Sequence, residues 1–165
     1  MATLMGVLFI VLGLIAIGEP LVAGLAVDVL AGWLLLAGGV AHAVSAFRVA
    51  GAKGVVWHVL LAILYLCGGV YFVTHPLLGL GTLTLFLSVI LFIEGVVWII
   101  AYFQLRSGSI WMLLNGVITL VLGLMIWGGW PSTSVWAIGT LLGVNLVMTG
   151  MSILFAGAAL RRLAA

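Results

Sequence analysis

Apolar residues fill this chain in runs of helical length, and the few polar positions recur between them at fixed intervals. The clearest run, Pro76 to Arg106, reads PLLGLGTLTLFLSVILFIEGVVWIIAYFQLR, with Glu94 the one formal charge in its interior. A bilayer needs about 20 apolar residues to span its ~30 Å hydrocarbon core, and this stretch supplies them. Pro76 stands 19 residues before Gly95, and the same spacing separates Pro20 from Gly39 and Pro131 from Gly150. The prolines are 56 and 55 residues apart, and so are the glycines. This spacing predicts one two-helix unit written three times, over about residues 3–48, 55–106 and 110–162.

In the first unit, helices are expected over Thr3–Gly18 and Leu21–Phe47, broken at Gly18-Glu19-Pro20 and followed by a link over Ala50–Gly54. The second takes Val55–Thr74, turns at His75-Pro76 and returns over Leu80–Phe103 to a link at Arg106–Ser109. The third takes Ile110–Trp127, turns at Gly128–Ser132 and returns over Thr133–Leu160. Proline after glycine or a polar residue is ordinary turn chemistry. The expected architecture is therefore all-α: a single polytopic domain over residues 1–165, with six transmembrane helices in three tandem repeats. With two helices per unit the repeats are parallel, unlike the inverted repeats of many secondary transporters. Small residues four apart (Gly24, Asp28 and Gly32; Gly39 and Ala43; Gly139 and Gly143) would let helices approach closely in lipid, within one chain or at an oligomer seam.

Composition removes the soluble alternative. The chain is 67% hydrophobic and 5% charged with a mean hydropathy of +1.53, whereas soluble domains carry roughly a quarter charged residues. The net charge of +2 rests on five basic residues and implies no nucleic-acid partner. Those five set orientation. Arg48 and Lys53 lie in the first link, Arg106 in the second, and Arg161 and Arg162 at the end, with none in a proline turn. The positive-inside rule then makes the links and both termini cytoplasmic, with the proline turns facing outward. Trp57 and Trp111 would mark the inner interface, and Trp127, Trp130 and Trp136 the outer one. The N-terminal run has the length of a signal sequence but no basic start, and it matches the later first helices, so it is expected to be a retained span. The lone Cys67 cannot form an intramolecular disulfide.

Polar groups at membrane depth are costly and need an explanation. Glu94 reads as interhelical glue, donating a hydrogen bond in its neutral form, as a proton- or ligand-binding group, or as half of a cation pair. His42 and His58 are its candidate partners on the inner half, and Asn115 and Asn145 are expected to bridge helices, as are Tyr65, Tyr71 and Tyr102. On the outer side stand Glu19, Asp28 and His75. Asp28 is expected at a helix N-terminus, capping or solvated, and His75 in a solvated turn where it could sense acid. Two histidines and a glutamate from three helices lack a metal-site spacing, so neither a metal nor a cofactor is expected. No GxSxG, HExxH, Walker loop or CxxC occurs, and no enzyme is expected.

The three-fold hairpin pattern resembles the HdeD family of bacterial acid-resistance membrane proteins. The resemblance is carried by Gly38-Gly39 to Phe47-Arg48, Glu94-Gly95 to Phe103-Gln104-Leu105-Arg106, and Thr149-Gly150 to Arg161, and it extends from about Gly6 to Arg162. An acidic residue precedes the glycine only in the second unit. The resemblance implies a bacterial inner-membrane protein of acid or stress resistance. The chain is expected to act structurally or through membrane partners, as a homo-oligomer or with other membrane subunits. Two alternatives stand beside it: an accessory subunit of a larger membrane complex, and a proton or small-solute conduit through Glu94.

Overall fold

The computed structural model describes residues 2–49, 51–104 and 109–163, the side chains of 2 and 158–163 excepted. They form α1 (Ala2–Gly18), α2 (Pro20–Ala46), α3 (Ala52–Thr74), α4 (Pro76–Gln104), α5 (Ile110–Gly128), a 3₁₀ turn (Ser132–Val135) and α6 (Ala137–Leu163). Arg106 and Ala50 lie outside the described residues, as do the side chains of Arg161 and Arg162. Among the described residues, five helical stretches are long and apolar enough to cross a membrane; α1 is apolar but shorter. The fold is all-α, as the hydropathy pattern requires.

The proline breaks are tighter than the sequence pattern implies. α2 and α4 begin at Pro20 and Pro76 themselves, so single residues, Glu19 and His75, separate them from the preceding helices. Proline lacks only an N–H that would be orphaned in a first turn, and its φ already suits a helix. The third unit departs from this. Pro131 leads into the 3₁₀ turn and α6 starts at Ala137, later than the expected Thr133. Two side chains bind that corner: Thr133 Oγ1 donates to the Ile126 carbonyl at the end of α5 (2.9 Å), and Trp130 Nε1 donates to the Gly81 carbonyl of α4 (3.1 Å).

The tight helix pairs are not the hairpins across the proline turns. They are α2 with α3, α4 with α5, and α6 with α1. Each second helix of a unit thus packs on the first helix of the next, and the last unit closes back on the first. Glycines set these seams at seven-residue rather than four-residue spacing: Gly6 and Gly13, Gly32 and Gly39, Gly116 and Gly123, Gly143 and Gly150, with Ala62 before Gly69. A seven-residue period keeps one face toward a neighbour crossing with a left-handed twist. The backbones nearly touch. A Cβ added to Gly13 would sit 2.7 Å from the Gly143 carbonyl oxygen, and one on Gly143 would sit 2.7 Å from that of Gly13. Gly95 faces the Gly116 oxygen at 2.8 Å in the same sense. Gly6 pairs with Gly150 and Gly13 with Gly143, so ascending positions in α1 meet descending ones in α6: the pair is antiparallel.

The adjacent glycines Gly68 and Gly69 make a controlled test of the seam. A Cβ on Gly69 would lie 2.8 Å from the Leu36 nitrogen and 2.9 Å from the Gly32 oxygen, whereas at Gly68 the nearest atom is a side-chain carbon at 3.8 Å. Gly69→Ala is expected to destabilise the protein by about 1–3 kcal/mol through overpacking, and Gly68→Ala to be neutral or to gain up to about 1 kcal/mol from helix propensity. Unfolding of the purified protein in detergent, followed by circular dichroism, gives both values; equal effects would mean that the close approach does not set stability.

Candidate functional site

The three pairs join where α2, α4 and α6 begin. A Cβ on Gly24 would meet Leu80 of α4 at 3.1 Å and the Gly139 nitrogen of α6 at 3.7 Å, and Gly139 abuts the Pro20 carbonyl. Eight residues after each proline come Asp28, Thr84 and Gly139, and all three are buried. Asp28 is 0% exposed. It is two turns inside α2, about 12 Å along the axis from Pro20, and its carboxylate fills the place a Gly79 side chain would take. This corrects the expectation of a capping or solvated outer-face residue: α2 begins at Pro20, too far back for Asp28 to cap it. Thr84 Oγ1 and Ser88 Oγ are satisfied within α4, donating to the carbonyls of Leu80 (2.8 Å) and Leu85 (2.7 Å). Both Asp28 oxygens and Ser134 Oγ are buried without a hydrogen-bond partner.

Near the opposite end, the α2–α3 seam carries a ring cluster. His42 Nδ1 and His58 Nδ1 are 3.2 Å apart and share a hydrogen bond, while Tyr65 meets the His42 ring edge-on at 5.3 Å between centroids. Both histidines are half-buried. The seam makes the cluster possible: Gly38 leaves room for the Tyr65 ring, since a Cβ there would lie 2.9 Å from it. One imidazole must donate and the other accept, so the bond requires an unprotonated nitrogen. Two imidazolium rings present only donors and repel each other.

Glu94 does not join this pair. It is exposed on α4, and its Oε1 accepts from Trp98 Nε1 on the same helix at 3.3 Å. The expected bridge to another helix is replaced by this contact because α4 turns Gly95, not Glu94, into its seam with α5. Asn115 and Asn145 are likewise exposed, the first beside the seam glycine Gly116, and neither takes the bridging place expected of it. Glu19 is exposed between α1 and α2 without a side-chain cap bond. His75 is exposed, with its Nδ1 hydrogen-bonded to Thr74 Oγ1 at 2.8 Å and its ring stacked on Tyr71. Of the candidate polar residues, the structure brings together His42 and His58.

The sequence profile of a short repeat of unknown function (DUF308) matches residues 4–74 and again 60–127. Protein HdeD of Escherichia coli strain K12, of Escherichia coli O157:H7 and of Shigella flexneri is in each case 31% identical over 151 residues, covering 89% of this chain and 80% of the relative. The chain belongs to the HdeD family. No solved structure matches it. The two profile matches run from α1 through α3 and from α3 through α5, so each takes in one complete seam, α2 with α3 or α4 with α5. Each match thus includes one of the seams that pack this bundle, along with a hairpin.

The histidine bond is open to a double-mutant cycle. His42→Phe and His58→Phe, singly and together, are expected to give a coupling of about 0.5–1.5 kcal/mol at neutral pH. The sign of its pH dependence follows from the proton count: an acid pH at which both rings are imidazolium leaves two donors and no acceptor, and the coupling is lost. Unfolding in detergent at both pH values provides the readout, and a coupling that persists in acid would contradict the shared-proton geometry.

Proposed function

We propose that this chain is a non-enzymatic inner-membrane protein of acid or stress resistance, with six membrane-crossing helices as three tandem repeats and both termini cytoplasmic. Family membership and the apolar helices support the membrane setting, and the position of the basic residues supports the orientation. The observation that carries the acid reading is the His42–His58 bond. Histidine is the side chain whose charge changes nearest neutrality, and this bond between α2 and α3 cannot survive protonation of both rings. Acid thereby loosens one seam of the closed ring close to the link that holds Lys53. The protein acts by this change in packing, structurally or through membrane partners, and no step requires a cofactor.

A second reading, that the chain works as a homo-oligomer or an accessory subunit of a larger membrane complex, is favoured by Glu94, Asn115 and Asn145. All three are exposed on helices apolar enough to cross a bilayer. Polar side chains at that depth are costly against lipid and gain from a facing helix. A conduit through Glu94 draws less support, since Glu94 bonds within α4 and not to the histidines.

An Escherichia coli strain lacking its own HdeD, complemented with the wild-type chain, His42→Phe or Glu94→Gln at equal membrane expression, discriminates these readings. Wild type is expected to restore survival after an acid challenge, His42→Phe to lose most of that rescue, and Glu94→Gln to retain it. Failure of the wild type would sink the acid-resistance reading, and failure of Glu94→Gln alone would return the conduit to first place.

A further inference from the structure

We propose that Asp28 is a proton-binding site at the junction of the three helix pairs, and that its neutral carboxyl is the form in which the junction closes. The inference stands on packing and does not depend on the acid-resistance reading. Asp28 is fully buried with neither oxygen bonded. An ionised carboxylate only accepts hydrogen bonds, and no donor among the described residues reaches either oxygen of Asp28. Thr84, at the equivalent position of α4, solves the same problem by donating to the carbonyl four residues back. Asp28 can do the same toward Gly24 only when it carries a proton.

No cationic side chain is placed against it, and the first turn of α4, where Gly79 lies, offers only the positive end of a helix dipole. α1 and the 3₁₀ turn contain no titratable residue; α3 brings Lys53, His58 and Tyr65 toward its other end, with Cys67 and Tyr71 exposed. In α2 itself His42 lies 14 residues beyond Asp28. Glu94 and Tyr102 follow ten or more residues after Thr84 in α4, and Arg161 and Arg162 end α6. Glu19 and His75, at the same end as Asp28, are exposed. A metal or alkali ion would need a cage of several oxygens, yet the carboxylate is pressed so closely on Gly79 that a single methyl group would collide with it. A proton needs no such room. Ser134 Oγ, in the adjoining 3₁₀ turn, is the other side-chain polar atom buried without a partner among the described residues.

Asp28 is the chain's single aspartate, so carboxyl-¹³C aspartate labelling reports on it alone. The labelled full-length protein in phospholipid vesicles is expected to show one carboxyl resonance at the protonated position at neutral pH, unmoved by sodium or potassium. Asp28→Asn, whose neutral amide keeps the shape and a donor, is expected to fold with wild-type stability, whereas the wild type alone unfolds more readily once alkali ionises the carboxyl. A resonance at the ionised position at neutral pH would overturn the proposal. So would a shift on adding either alkali ion, or an Asp28→Asn protein that loses the fold.

Discussion

Helices in lipid have no hydrophobic reason to associate, because a hydrocarbon tail solvates a leucine as well as a neighbouring helix does. What remains is contact between surfaces, which grows as backbones approach. In this protein that approach is taken to its limit by glycine at seven-residue intervals, with carbonyl oxygens of one helix beside the Cα atoms of the next in the α1–α6 and α4–α5 pairs. Such geometry places Cα–H groups against carbonyls, a weak attraction that recurs at helix–helix interfaces. The seams then dictate the rest. Because each pairs the second helix of one unit with the first of the next, the chain closes into a ring, and the beginnings of α2, α4 and α6 are brought together.

That convergence explains why polar residues differ so sharply in fate. Position in the pair, more than depth in the membrane, decides which are buried. Asp28 and Thr84 fall where three helices meet and are sealed. Glu94, one residue before a seam glycine, is turned out and left with Trp98. His42 occupies the repeat position of Trp98, but it lies on a seam whose other helix offers His58 and Tyr65, so the same backbone site yields a cross-helix bond instead of a bond within one helix.

The membrane class, the helices and the family were legible in the sequence because they rest on signals that sum over many residues: long apolar runs and the 19-residue Pro-to-Gly spacing. The pairing of helices was not legible from the same facts. Short turns at Glu19 and His75 make sequential helices look like the packed hairpins, although the glycines had already marked the true seams at Gly6 and Gly13 against Gly143 and Gly150. The signal was present as a period of seven but was obscured by the overlapping four-residue set Gly24, Asp28 and Gly32. Asp28 was misplaced for a related reason. Its position near the start of α2 suggested exposure, and nothing in one helix reveals that the first turn of α4 packs on it. Glu94 drew notice because it interrupts the longest apolar run, yet a single helix cannot tell a lipid-facing flank from a seam.

Two titratable features at opposite ends of one helix give protonation opposite effects on its packing. Asp28 and His42 are 14 residues apart on α2, about 21 Å by helical rise and close to the same face. Protons on both histidines break a bond between α2 and α3, whereas a proton on Asp28 is the condition for α2 to meet α4 and α6. Acid therefore weakens the seam at one end of α2 while it keeps the junction shut at the other. A rigid helix with one end released and the other latched can swing only about the latched end. The glycine seam between α2 and α3, where the side chains of Val73 and Leu36 lie against Gly32 and Gly69, is the surface along which such a movement would run.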